Sequence, residues 1–283
     1  MLVSTNELVQ KAYINHYAVP AINVNELDSI FALFRACEEL QSPVIIQIAP
    51  IQIKNRPFGY KELIQIIKTI GKNYNVDYSI HLDHGDDISN IIYAGKLGFS
   101  SVMFDGSHLQ LLENIKGTND VKKELPETVN LEAELGVLGV KEGGQGEELN
   151  HVYTNLEEAR KFLSETNIDM LAIAIGNSHG IYKQTPKLNI ELLKILNKKL
   201  CIPLVLHGAS GLSKEDIGSA IKEGIAKINF FTDIDFSYTD SFKDKFNDEK
   251  IYTFMYLQNV YENIEEKIKE KIRMCKSENR IWN

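Results

Sequence analysis

The sequence predicts an α/β protein, a (β/α)8 TIM barrel with an extra C-terminal helix. Eight short apolar runs, rich in Val, Ile and Leu on both parities, punctuate the chain, as expected of strands covered on both faces. Longer amphipathic stretches lie between them, so strand and helix alternate nearly from end to end. The length of 283 residues and hydrophobic content of 43% suit a barrel with one large core, since such barrels run to roughly 250 residues as a single unit. Residues 1–283 therefore read as a single domain, without internal repeat, low-complexity tract or linker.

Each element has its own warrant. The first apolar run, 18–23, is followed by a helical stretch over 27–40 in which Leu27, Ile30, Phe31, Phe34 and Cys37 share one face. Runs at 43–49 and 77–83 flank a helix over 60–74. A helix over 87–97 leads to the run at 100–105. Between that run and 129–134 the helical periodicity is weakest, because Gly117, a polar stretch at 118–123 and Pro126 interrupt it. Runs at 169–175, 203–207 and 226–229 complete the eight, with helices over 156–164, 189–197 and 214–223 between them. After Asp248, Val260, Ile264, Ile268 and Ile272 stand four apart on one face of the extra helix. The glycine-rich segment 139–151 is too long and polar for a tight connection and reads as a lid or loop tip.

Composition narrows the function classes. A net charge of −8 and a pI near 5.5 argue against nucleic acid as a partner, which needs a basic footprint. An anionic substrate would have to be held locally, by helix N-termini and a few lysines. Three scattered cysteines without a CxxC pair make no disulfide framework. The first ten residues are polar, unlike a signal peptide, and no apolar run reaches the roughly 18–20 residues of a membrane span. A soluble, cytoplasmic protein with no membrane partner is the expectation.

Three histidines are the most telling residues. His84 in IHLDHG, His179 in LAIAIGNSHG and His207 in PLVLHGASG each end an apolar run and precede glycine. Three imidazoles can supply the protein ligands of a catalytic zinc and leave a fourth position open, while glycine lets backbone approach closely. Parallel strands end on one face, where barrel enzymes place their chemistry. Asp83 beside His84 is placed for proton transfer to a metal-bound substrate, or else caps the next helix. Asp105 and Glu134 end their runs as carboxylates, suited to orient ligands or to form another metal site, or else to cap loops. HGASG at 207–211 and INFFTD at 228–233 close the last two strands, where barrels often hold phosphate; Ser210 and Thr232 add hydroxyls, and the helix starting near Lys214 offers a positive end. His16, His81, His108 and His151 lack comparable settings and read as surface or structural residues.

With these residues in view, the chain resembles the class II, zinc-dependent ketose-bisphosphate aldolases, which include the fructose- and tagatose-1,6-bisphosphate enzymes. The likeness is collinear from YAVPAINVN (17–25) through HLDHG, SVMFDGSH, EAELG, LAIAIGNSHGIYK, PLVLHGASGL and KINFFTD. The resemblance implies a barrel assembled as a homodimer or homotetramer. It implies zinc on His84, His179 and His207, with Asp105 and Glu134 as auxiliary carboxylates of the metal site. Asp83 would act as acid/base on the C4 hydroxyl, and Glu142 would move the C3 proton. Gly180, Gly208, Ser210, Asn229 and Thr232 would cradle the C1 phosphate, with a monovalent cation, Na+ or K+, nearby, and Asn23 would touch the substrate. The implied reaction is reversible cleavage of a phosphorylated ketose to dihydroxyacetone phosphate and glyceraldehyde 3-phosphate.

The chain also departs from that pattern. The mobile-loop glycine pair is Gly139–Val140, Phe231 stands where relatives carry Asn, Asp or a small residue, and Ala49–Pro50–Ile51 replaces small polar residues after the second strand. The recurring Asp-Pro-Arg reads Asp248–Glu249–Lys250. These changes bear on the aldehyde half of the substrate. The tail MCKSENR resembles the tagatose branch more than the fructose branch. Two other readings stay open: a non-catalytic sugar-phosphate-binding barrel or helper subunit, and an aldolase of the same mechanism for another aldehyde, such as a deoxy-sugar phosphate. A helper with no chemistry to perform has no need of His84, His179, His207, Asp83 and Glu142 together.

Overall fold

Eight parallel strands close into a barrel in sequence order, β1 pairing with β8. They are β1 (Val19–Asn23), β2 (Val44–Ile48), β3 (Tyr78–Gly85), β4 (Ser101–Phe104), β5 (Asn130–Leu135), β6 (Met170–Ile173), β7 (Leu204–Leu206) and β8 (Ile225–Phe230). The computed structural model describes all residues except 55, 139–151, 181–185, 244–251 and 283. The lid expected at 139–151 lies outside the described residues.

Helices alternate with the strands. α1 (Thr5–Asn15) precedes β1, α2 (Leu27–Glu39) follows it, and α3 (Pro50–Ile53) and α4 (Tyr60–Gly71) follow β2. Then come α5 (Ile88–Leu97), α6 (Leu111–Glu124), α7 (Leu156–Glu165), α8 (Ile190–Leu200), α9 (Lys214–Lys222), α10 (Thr232–Lys243) and α11 (Thr253–Met274). The stretch expected to be interrupted is the continuous helix α6. Gly117 is there for packing: a Cβ would lie 2.4 Å from the Phe104 ring of β4. The helix starting at Thr5 was not legible because its stripe is short: Leu8, Val9 and Ala12 close the bottom of the barrel against Val19, Ala21, Ile45, Met170, Ala172, Val205 and Ala226. No described helix is long and apolar enough to cross a membrane.

Alternation across each strand makes two environments. One parity packs against the helices in the main apolar core. The other points inward, apolar at the bottom and polar above, where Gln47, His81, Asp83, Glu132, Lys227 and Asn229 are all buried. α11 lies against α2 and α10. Its stripe Val260, Ile264, Ile268 and Ile272 is fully buried, on the order of 1.5–3 kcal/mol per side chain.

Candidate active site

The site forms at the C-terminal strand ends. A regular strand would aim Asp83 and His84 at opposite faces. Instead β3 ends irregularly: its register against β4 shifts between Leu82 and Gly85, and His84 adopts a left-handed φ of 47°. That conformation costs a non-glycine residue roughly 1–3 kcal/mol, and it lets both side chains face the mouth. Gly85 is required beside it, because a Cβ would lie 2.8 Å from the Met103 carbonyl oxygen. Asp83 caps no helix; Asp87 does, accepting from Asn90 N–H at 2.8 Å.

Three imidazole rings converge. Ring centroids of His84 lie 4.8 Å from His179 and 4.6 Å from His207, and those of His179 and His207 are 5.9 Å apart. One nitrogen of each falls within 4.8 Å of the others. His207 directly follows β7, but His179, contrary to the sequence expectation, does not end its strand. β6 stops at Ile173, and the intervening loop is pinned by buried Asn177, whose Oδ1 accepts from Ile175 N–H at 2.8 Å while its Nδ2 donates to the His207 carbonyl at 3.0 Å. A second group, His84, Asp105 and Glu134, offers ligand atoms just as close.

Carboxylates orient the rings. His84 Nδ1 sits 2.8 Å from Asp105 Oδ2, and His207 Nε2 sits 2.8 Å from Glu132 Oε1. A carboxylate on the outer nitrogen holds the ring proton there. The inner atoms, His84 Nε2 and His207 Nδ1, face each other 2.8 Å apart. Burial, reinforced by neighbouring imidazoles, keeps the His179 and His207 pKa values below the ordinary histidine range, so both rings are neutral. Glu132 also accepts from Lys227 Nζ at 2.7 Å, and both residues are fully buried. Burial works against its charge, but Lys227 and His207 outweigh it and keep Glu132 ionised. Asp105 is likewise held low against burial, by His84 and Ser107.

Asp83 is gripped by three amides. Its Oδ1 accepts from Gln47 Nε2 and Asn229 Nδ2, each at 3.0 Å, and its Oδ2 from Asn23 Nδ2 at 3.1 Å. Burial opposes its charge, but facing His84 and His207 with Lys227 prevail and hold its pKa at about 2. Glu134 goes the other way, raised well above the carboxylate range by burial and the nearby Asp105 charge. Glu134 Oε2, Asn23 Oδ1 and Asn229 Oδ1 are buried with no hydrogen-bond partner among the described residues.

Asn23, Asp83, His84, His179, Gly180, Gly208, Ser210, Asn229, Phe231 and Thr232 line one cleft. Gly208, at φ 63°, must be glycine: a Cβ would lie 2.1 Å from the Ser178 carbonyl oxygen. The helix presenting its N-terminus there is α10, beginning at Thr232, rather than the one starting near Lys214. The latter is closed by its own cap, Ser213 Oγ accepting from Asp216 N–H at 3.1 Å.

A family model described as "Fructose-bisphosphate aldolase class-II" matches residues 3–280. The chain belongs to the class II aldolases. Among solved structures it is similar to the YdjI aldolase of Escherichia coli K12 (31% identity, 98% of each chain covered, TM-score 0.87). It is also similar to a putative fructose-1,6-bisphosphate aldolase from Coccidioides immitis (28% identity, 97% of this chain and 96% of that one, TM-score 0.88). A fructose-bisphosphate aldolase from Campylobacter jejuni shares 25% identity over 99% of this chain and 97% of that one, with TM-score 0.82.

Class II aldolases depend on a metal ion, and this donor set fits one. One nitrogen of each of the three imidazoles lies within 4.8 Å of the others, close enough to share one ion, and carboxylates back the outer nitrogens of His84 and His207. For an aldolase the polar barrel interior is also in keeping, although Gln47, Glu132 and Lys227 were absent from the residues expected to matter. Their signal was a period-two alternation of polar residues inside apolar runs, as in Glu132/Glu134 and Lys227/Asn229. Gln52 was missed too. Its Oε1 accepts from Ala49 N–H at 2.6 Å and Asn23 Nδ2 at 3.3 Å, which supplies an amide where the chain lacks small polar residues after β2. His81 is structural, 2.7 Å from Ser101 Oγ, while His16 and His108 are exposed. Glu142 and His151 lie outside the described residues.

Proposed function

We propose that this chain is a zinc-dependent aldolase that reversibly cleaves a ketose 1,6-bisphosphate, fructose or tagatose, to dihydroxyacetone phosphate and glyceraldehyde 3-phosphate. The observation that carries the reading is the convergence of three imidazoles beside an ionised carboxylate, Asp83, at the mouth of the cleft. In this reading His84, His179 and His207 hold the zinc, and Asp105 and Glu134 serve as auxiliary ligands. When bound, the metal supplies Lewis-acid stabilisation of the negative charge that builds on the substrate's C2 oxygen as the C3–C4 bond breaks.

The protein's own groups do the rest. Asp83, fixed by Gln47, Asn229 and Asn23, takes the proton of the C4 hydroxyl and returns it in condensation. The Oδ1 atoms of Asn23 and Asn229, unpartnered among the described residues, suit substrate hydroxyl donors, since a buried acceptor left empty is costly. Gly180, Gly208, Ser210 and Thr232, with the N-terminus of α10, cradle the C1 phosphate, and a Na+ or K+ ion would add charge there. Glu142 moves the C3 proton. We take residues 1–283 as one catalytic domain, working in the cytoplasm as a homodimer or homotetramer.

A zinc-supplemented cleavage assay comparing fructose-, tagatose- and deoxygluconate-type phosphates tests activity and substrate together. Cleavage that survives a strong chelator would overturn the zinc assignment. A second reading, the same chemistry on another aldehyde, is favoured by Phe231 in the cleft wall and Ala49 at the end of β2. It predicts the deoxygluconate-type substrate to be cleaved best.

A further inference from the structure

The C-terminal helix carries a buried charge that its packing does not require. Beside the apolar stripe of α11, Lys271 is only 3% exposed. Burying an ammonium is costly unless it is paired, and this one is. Its Nζ pairs with Asp233 Oδ2, lies 3.2 Å from Glu270 Oε1, and sits 5.4 Å over the Phe230 ring of β8. Burial lowers its pKa, but Asp233 and Glu270 outweigh that and raise it, so the ammonium persists.

Asp233 leads to the cleft. Its Oδ1 accepts from Ser210 Oγ at 2.8 Å, and Ser210 and its neighbour Thr232 line the cleft wall. A carboxylate in the first turn of α10 complements the helix dipole, but it also sets a negative charge beside the end of the cleft where we place a phosphate. The only other acid in that turn, Asp235, is engaged by Asn25 Nδ2 at 2.6 Å. A cation behind Asp233 resolves the conflict.

The geometry points to Lys271 as a positioning residue for phosphate binding: it offsets the Asp233 charge next to the cleft and steadies the carboxylate that holds Ser210. The inference rests on the phosphate reading of this end of the cleft. It gives the extra helix a role in the site, from outside the barrel, without contact with substrate.

Calorimetric titration of the full-length, zinc-loaded protein with dihydroxyacetone phosphate, and separately with inorganic phosphate, tests it. Lys271→Met is expected to weaken both on the order of tenfold, the size of an uncompensated charge acting near a protein surface. Zinc content should stay unchanged, and KM for the bisphosphate should rise more than kcat falls. Asp233→Asn, which keeps an acceptor for Ser210 while removing the charge, is expected to bind at least as tightly as the parent. The double variant should return to within about threefold of it. A purely structural lysine would instead leave the phosphate affinity of the folded, zinc-loaded protein unaltered, with or without its partner, and change only the stability. Parent-like binding by Lys271→Met, or a double variant as weak as Lys271→Met, overturns the inference. If Lys271→Met does not fold, Asp233→Asn decides alone, and weakened binding by it refutes the proposal. A parent that binds neither probe overturns the phosphate cradle, and the role of Lys271 falls with it; unaltered Lys271→Met against a parent that binds overturns the lysine alone.

Discussion

Replacing Glu132 by Gln tests the buried network that supports the histidines. Glu132 is fully buried and takes two hydrogen bonds, from Lys227 Nζ at 2.7 Å and His207 Nε2 at 2.8 Å. A glutamine presents one oxygen and one NH2 to these two donors, so one contact becomes donor against donor, and Lys227 is left as an uncompensated charge in the barrel. Breaking a buried pair in this way costs about 3–5 kcal/mol. Loss of the carboxylate behind a metal-ligating histidine lowers metal affinity by about 10- to 100-fold. Urea unfolding of the metal-free protein at neutral pH reads the first effect, and zinc competition against a chromophoric chelator reads the second. The variant Glu132→Gln with Lys227→Met should regain most of the stability, because no buried charge remains, but not the zinc affinity, because His207 still lacks its orienting carboxylate. Unfolding of Glu132→Gln within about 1 kcal/mol of the parent would refute the reasoning, since an exposed pair is worth no more than that.

On the proposed function, Asp83→Ala should bind zinc as the parent does, measured by atomic absorption, while release of dihydroxyacetone phosphate falls by a factor of about 10² to 10⁴; turnover within tenfold of the parent would count against its acid/base role. His81, held neutral by burial and by the Lys227 charge, has its pKa lowered from 6.5 to about 3. The unfolded chain therefore takes up a proton near 6.5 that the fold refuses until about 3, so this stability is full above 6.5 and is lost on acidification through that window. Near pH 5 the loss is about 2 kcal/mol, and His81→Gln should flatten that part of a urea-unfolding series from pH 7 to 5; an unaltered slope would exclude it. Gly208→Ala forces a Cβ to 2.1 Å from the Ser178 carbonyl oxygen at a left-handed φ. It should displace the loop carrying His179, lowering stability by about 1–3 kcal/mol and weakening dihydroxyacetone phosphate binding, with unchanged unfolding and titration curves as the refuting result.

Much of this was legible in one dimension. Apolar runs with Val, Ile and Leu on both parities mark strands that helices cover, and each expected run overlaps an observed strand. Helical spacing placed α2 and α11 because their buried stripes, Ile30, Phe34 and Cys37 in α2, repeat every three or four residues, although Leu27 at the start of α2 is exposed and Phe31 only half-buried. Element ends were less legible. The apolar run 169–175 continues two residues past β6, since Ala174 and Ile175 are buried in a loop as thoroughly as in a strand. Gly117 looked like an interruption because helix propensity is local, while its contact with Phe104 is not.

The site divides along the same line. The sequence by itself determined the strand and helix alternation and the ligand types at the strand ends, because hydrophobic period and side-chain chemistry are properties of neighbouring residues. It also carried the likeness to the aldolases, through motifs that are each contiguous. Only the tertiary structure decided which groups share a proton or offset a charge. Glu132 reaches His207 across 75 residues, Asn229 reaches Asp83 across 146, and Lys271 meets Asp233 from a helix outside the barrel. Barrel closure brings such partners together, and electrostatic interaction depends on distance in space and on burial, neither of which is written in chain order.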